Sequence, residues 1–167
     1  MKKLALCAVA LLLATAALAS NDKKGISISF DSEDSRTHLG PRLNARDARL
    51  AITNRDGSVS LLLMNDIVAV QLTDRVLAKV SAKDDAGFLE DLIVSGVQIA
   101  LRKAVEYPIA NISSAGIRDG ALVLTNDKGQ PVFKEVKVNG TDVLRDFAIG
   151  DAARFVNAFR AAKSAQR

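Results

Sequence analysis

His38 is the one histidine of the chain and Cys7 its one cysteine, so any chemistry that needs either rests on a single residue. A histidine works as a general base only beside a group that positions it. His38 sits between Asp31 and Asn44, a stretch without hydrophobic periodicity that holds Gly40-Pro41, and it reads as a surface residue of a loop. Asp31, Glu33 and Asp34 are residue types that ligate Ca2+, but their spacing is not that of a calcium loop, and a solvated acidic loop is expected. Zinc needs several His or Cys ligands, which the chain does not offer. No G-x-S-x-G, H-E-x-x-H, P-loop or G-x-G-x-x-G pattern occurs. The expectation is a protein with no catalytic residues, no cofactor and no metal, and not an enzyme. A pair of carboxylates assembled in space would leave no spacing to read, so a carboxylate-dependent hydrolase stands as the last of three functional readings.

Stacking chemistry is also poorly supplied. The chain has no Trp, 1 Tyr and 6 Phe, a small stock for holding sugars or single-stranded nucleic acid.

The N-terminus reads as a secretory signal. Lys2 and Lys3 form a short basic region, Leu4 to Leu18 is almost wholly apolar, and Ala17-Leu18-Ala19 gives the small–x–small pattern of a cleavage site. Residues 1–19 are expected to be removed between Ala19 and Ser20, and residues 20–167 to form one domain, periplasmic or secreted, in the manner of a Gram-negative bacterial export product. The apolar run is short for the roughly 20 residues of a spanning helix, and no later stretch could span a bilayer. Cleavage removes Cys7, so neither disulfides nor thiol chemistry are expected in the mature chain. It also takes 23 basic residues to 21 against 19 acidic ones, a net charge of +2, too mild and too evenly spread to imply nucleic acid.

What remains is an α+β pattern: an antiparallel sheet or partly closed barrel of about seven to nine short strands with two helices. Ile26, Ile28 and Phe30 alternate with serines, as in a half-buried strand. Arg49 to Thr53 and Ser58 to Met64 flank the hairpin turn Asn54-Arg55-Asp56-Gly57. Ile67 to Leu72 and Val76 to Val80 continue a meander. Ile109 to Ile117, Ala121 to Thr125, Val132 to Val138 and Val143 to Ile149 are further strands, with turns at Arg118-Asp119-Gly120, Asn126 to Gly129 and Asn139-Gly140. Leu50 to Gly57 resembles Leu122 to Gly129, each a strand, Thr-Asn, two polar residues and Gly, which raises a faint repeat.

Between the two β-rich halves lies Phe88 to Tyr107, a helical pattern over about 85–106. Asp91, Ser95, Gln98 and Arg102 form its polar stripe, and the apolar arc is wider than the ~100° that a surface helix buries. Phe88, Leu92 and Ile99 on that arc are the candidate interface. A second amphipathic helix is expected over about 151–163, with Asp151 as N-cap and Phe155, Val156, Phe159 and Ala162 as its stripe.

The ending VLRDFAIGDAARFVNAF, after a run of strands joined by DG and NG turns, resembles the last strand and capping helix of bacterial domains with a pleckstrin-homology-like fold. The resemblance covers about a third of the chain and rests on pattern. It implies a bent, partly closed barrel plugged by Phe155, Val156 and Phe159, with the central helix inserted. No Lys/Arg cluster lies in an early hairpin, so phosphoinositide binding does not carry over. The first functional reading is therefore an exported, non-enzymatic module that binds a protein partner or self-associates. The second is a carrier of an apolar ligand or lipid in the cell envelope.

Overall fold

The structure is a computed structural model. It describes residues 28–29, 36–82, 103–134, 136–138 and 141–166. In chain order the elements are β1 (Ile28–Ser29), β2 (His38–Pro41), β3 (Leu50–Thr53), β4 (Val59–Leu63), β5 (Ile67–Leu72) and α1 (Asp74–Ala82). Then come β6 (Lys103–Pro108), β7 (Ile112–Arg118), β8 (Ala121–Asn126), β9 (Lys137–Val138), β10 (Thr141–Asp142) and α2 (Ile149–Ser164).

The meander β3-β4-β5 is antiparallel, with Ile52 opposite Leu61 and Leu61 opposite Val70. β6 pairs with the far side of β5 and β2 with the far side of β6, giving the order β2-β6-β5-β4-β3. The sheet is open, with β2 and β3 as its edges. Period-two alternation puts Val59, Leu61, Leu63, Val68, Val70, Leu72, Val105 and Tyr107 on one face, in the main core. Leu62, Ala69 and Ala104 face the other way, in a smaller apolar cluster against Leu43, Ala48 and Met64. β4 is buried along its whole length because both faces are covered.

The β7–β8 hairpin and α2 close the main core. Ala152, Phe155, Val156, Phe159 and Ala162 are the buried stripe of α2, the i, i+3, i+4, i+7 spacing of one helix face. Lys163 in its last turn donates to the carbonyls of Ile109 and Ala110 at 2.9 and 2.8 Å. Phe133 holds a positive φ of 61°, uncommon for an aromatic residue, and its ring meets Tyr107 edge-on at 6.2 Å between centroids. A small sheet of order β1-β9-β10 completes the fold, with Val138 opposite Thr141 on either side of residues 139–140, as an NG hairpin predicts.

Five expectations are corrected. Residues 74–82 are helix rather than strand: Leu77 packs on the core while Ala78 is exposed, so the apolar period is helical, not two. The predicted central helix does not reach 106, because 103–108 is β6. Val105 and Tyr107 alternate with Ala104 and Glu106, and the backbone is paired on both sides. The loop expected around Gly40-Pro41 is instead the edge strand β2, which places Pro at the terminal residue of an edge. The strand expected over 132–138 shrinks to the two-residue β9, and the one expected over 143–149 is absent: the pairing strand β10 lies before it, at Thr141–Asp142. Asp142 accepts from the amide of Leu144 and turns the chain into a 3-10 helix at Val143–Arg145. Ala148 occupies the N-cap of α2, and Asp151 lies in its first turn, bound to Arg154 at 2.6 Å.

The likeness of 50–57 to 122–129 is a likeness of turns. Asn54 and Asn126 are both buried, each accepts an amide bond from the following glycine at 3.0 Å, and Gly57 and Gly129 share a φ of 74°. Beyond the turn the two differ. β3 runs into a full strand after its turn, whereas β8 has its strand partner before it and beyond the turn makes only a single bridge, Thr125 to Pro131.

Candidate functional site

Three short segments converge on a cleft of about 470 Å³ beside the β7–β8 hairpin. The first is the hairpin tip. Arg118 and Ala121 pair across Asp119 and Gly120, whose φ values of 52° and 76° are those of a type I′ turn. The tight turn fixes Arg118 at the mouth.

The second is the β3–β4 turn. The Asn54 side chain accepts from the amides of Ser58 and Val59, and the Asp56 carboxylate accepts from the Ser58 amide and hydroxyl at 2.9 and 2.6 Å. Partial burial alone would raise the Asp56 pKa. The bonds from Ser58 and Asn54 and the charge of Arg75 outweigh it and hold that carboxyl below its ordinary value. The turn is tied across the cleft to Asp146, which accepts from the Arg55 amide at 2.9 Å and from the Asn54 amide nitrogen at 3.2 Å. Arg55 is thereby set against the third segment.

That segment is the 3-10 turn Val143–Arg145. Val143 and Leu144 are buried, so Arg145 faces outward on the short turn. Leu122 and Leu144 line the cleft from the core side, and Ile149, 56% exposed, lines it from the start of α2.

Arg55, Arg118 and Arg145 all line this cleft, and among the described residues none of their guanidinium groups has a hydrogen-bond or ion-pair partner. Several other arginines are engaged, while the Arg46 and Arg75 side chains likewise make no hydrogen bond or ion pair among the described residues. Arg42 binds the Leu72 carbonyl and Asp74, Arg49 binds Asn65, and Arg36 binds Asp127 and lies 5.9 Å from the Tyr107 ring centroid. Asp119 and Asp142 also line the cleft, the latter with one oxygen held by the Leu144 amide. The lining mixes apolar residues with three arginines and two aspartates.

A sequence signal for these residues existed. Arg-Asp occurs at 46–47, 55–56, 118–119 and 145–146, and the arginines of the last three line the cleft. In two of these pairs the neighbouring acid is engaged elsewhere, Asp56 by Ser58 and Asp146 by Asn54.

His38 is not an isolated loop residue. It lies on β2 opposite Glu106, and its Nε2 is 2.9 Å from the Glu106 Oε2. Glu106 is buried, and its carboxylate lies over Gly40, where a Cβ would overlap it. The positioned partner that the sequence did not reveal comes from a distant strand. Among the described residues no hydroxyl or thiol is hydrogen-bonded to the His38 ring, so the pair is half of a general-base arrangement.

Phe88, Leu92, Ile99, Asp31, Glu33, Asp34, Cys7, Ala19 and Ser20 lie outside the described residues. Among the described residues no three His, Cys, Asp or Glu side chains are grouped as a metal site needs. No described helix is long and apolar enough to cross a membrane. No protein-family model matches the chain, and neither curated proteins nor solved structures yield a match to it.

Proposed function

We propose that the chain is an exported, periplasmic or secreted binding module without catalytic activity, and that it carries an apolar or amphiphilic ligand such as a lipid. The observation that carries this reading is the cleft of about 470 Å³, within the range of small-molecule sites, with Leu122, Leu144 and Ile149 on its apolar side. Its walls are set by a type I′ turn, a cross-tied hairpin turn and a capped 3-10 turn, so it is formed without the ligand. A preformed site loses less ordering entropy on binding.

The experiment is native mass spectrometry of the protein exported by a Gram-negative host and purified without detergent. The expected result is a chain beginning at Ser20 with an added mass extractable as lipid or fatty acid. A protein that is empty in repeated preparations, and whose melting temperature does not move with any medium-chain amphiphile, overturns the carrier reading. Retention of residues 1–19 overturns the export reading.

A further inference from the structure

We infer that the ligand of this cleft carries an oxyanion, a carboxylate or phosphate group, held by Arg118 and Arg145 with Arg55 beside them; the inference rests on the carrier reading above. A guanidinium presents planar, forked N–H donors that match the oxygens of a carboxylate or phosphate two at a time. Three such groups border one cleft without a hydrogen-bond or ion-pair partner among the described residues. Gathering like charges at one place is unfavourable by itself, and an anion between them reverses the sign of the interaction.

Their placement is not an accident of long side chains. The I′ turn fixes the backbone of Arg118, the amide bond to Asp146 that of Arg55, and the Asp142-capped 3-10 turn that of Arg145. The neighbouring acids are turned to structural work at Asp56 and Asp146, so they do not bind these guanidinium groups. Asp119 at the hairpin tip opposes an anion and tempers the site. Leu122, Leu144 and Ile149 then receive the apolar part of the same ligand.

Calorimetric titration of the mature chain at low ionic strength tests this with three probes: dodecyl phosphate, inorganic phosphate and the uncharged dodecyl maltoside, each amphiphile below its micelle concentration. Dodecyl phosphate should bind at least tenfold more tightly than the maltoside. Arg118→Gln and Arg145→Gln should each weaken it about tenfold, the loss of one charged hydrogen-bonded contact. Their circular dichroism should be unchanged, because both side chains are exposed. Asp119→Asn should tighten it, and added NaCl should weaken it. Inorganic phosphate binding as tightly as dodecyl phosphate supports the anion site but assigns it to a free anion and overturns the lipid carrier. Equal binding of both amphiphiles, indifferent to the arginine variants, overturns the anion inference and leaves the carrier reading standing. Binding of none of the three overturns both.

Discussion

The two faces of the five-stranded sheet are built on different principles. The face toward α2 carries Val59, Leu61, Leu63, Val68, Val70, Leu72, Val105 and Tyr107, without a titratable acid or base among them apart from the Tyr107 phenol. The opposite face has a dry centre of Leu62, Ala69 and Ala104, and beside it the buried polar groups Ser60, Gln71 and Glu106. Each of these has a partner. Gln71 accepts from the Leu43 amide and donates to the Leu43 carbonyl, both at 2.9 Å, and Glu106 meets His38. The first face gains from burial, which has no preferred direction. The second gains little net energy per polar pair, but it fixes where residues 42–48 and β2 must lie, because a buried polar group left unpaired is costly.

The largest expected effect is therefore on the first face. Phe155→Ala should cost about 3–5 kcal/mol, the lost transfer energy plus the cavity it leaves. A urea titration followed by circular dichroism reads it directly. A loss below about 1 kcal/mol would mean that α2 is not the main cover of that face. A smaller effect of different origin is expected on the second face. Gly40→Ala places a methyl where the Glu106 carboxylate lies, so the carboxylate must swing away from His38 while staying buried. We expect a cost of about 1–2 kcal/mol, in the range of modest overpacking. Combined with Glu106→Ala, the same substitution should cost almost nothing further, and this non-additivity is the signature of direct contact. Additive losses would show that Gly40 matters only as backbone.

The first face was legible in the sequence and the second was not, for a physical reason. Alternation of branched apolar residues reads as strand wherever a run is long enough, as in Val59 to Leu63 and Ile67 to Leu72. The 3.6 period of Phe155, Val156 and Phe159 reads as helix, and Asp-Gly and Asn-Gly mark turns whatever surrounds them. Short apolar runs satisfy both periods. Val76, Ala78 and Val80 alternate like a strand yet belong to α1, and Val105 continues the spacing of the preceding helical pattern yet belongs to β6. The His38–Glu106 pair and the arginine cleft are assembled from separate stretches, so no local spacing encodes them. Only the recurring Arg-Asp at turns hinted at the cleft.

Removing His38 tests whether polar pairing on the second face is a stability device or a positional one. The His38 ring is half exposed, which screens its interaction with Glu106. His38→Ala should therefore cost less than about 1 kcal/mol in urea. It should still raise hydrogen exchange of the β2 amides more than those of β3, the other edge. Equal exchange at both edges would deny the pair any role in holding β2.

The smallest effect, and the one that separates face from turn, concerns acid. Among the described residues no Asp, Glu, His, Lys or Arg belongs to the buried α2-facing core, and at its margin the Asp56 carboxyl of the β3–β4 turn is held below its ordinary value. A carboxyl that ionises more readily folded than unfolded binds fewer protons in the native state between the two pKa values. Its contribution is then fully present above the unfolded value, about 3.9, and is lost as pH falls through the lower folded value. Stability should decline below about pH 4, and Asp56→Asn should make that decline shallower while lowering stability at neutral pH. Asp127, whose carboxyl is lowered chiefly by its bond to Arg36, is exposed like Asp56 and is the matching control at the related turn. If Asp127→Asn flattens the acid limb as much as Asp56→Asn, the sensitivity belongs to surface ion pairing, and the Asn54–Asp56–Ser58 hydrogen-bond cluster has no special share in it.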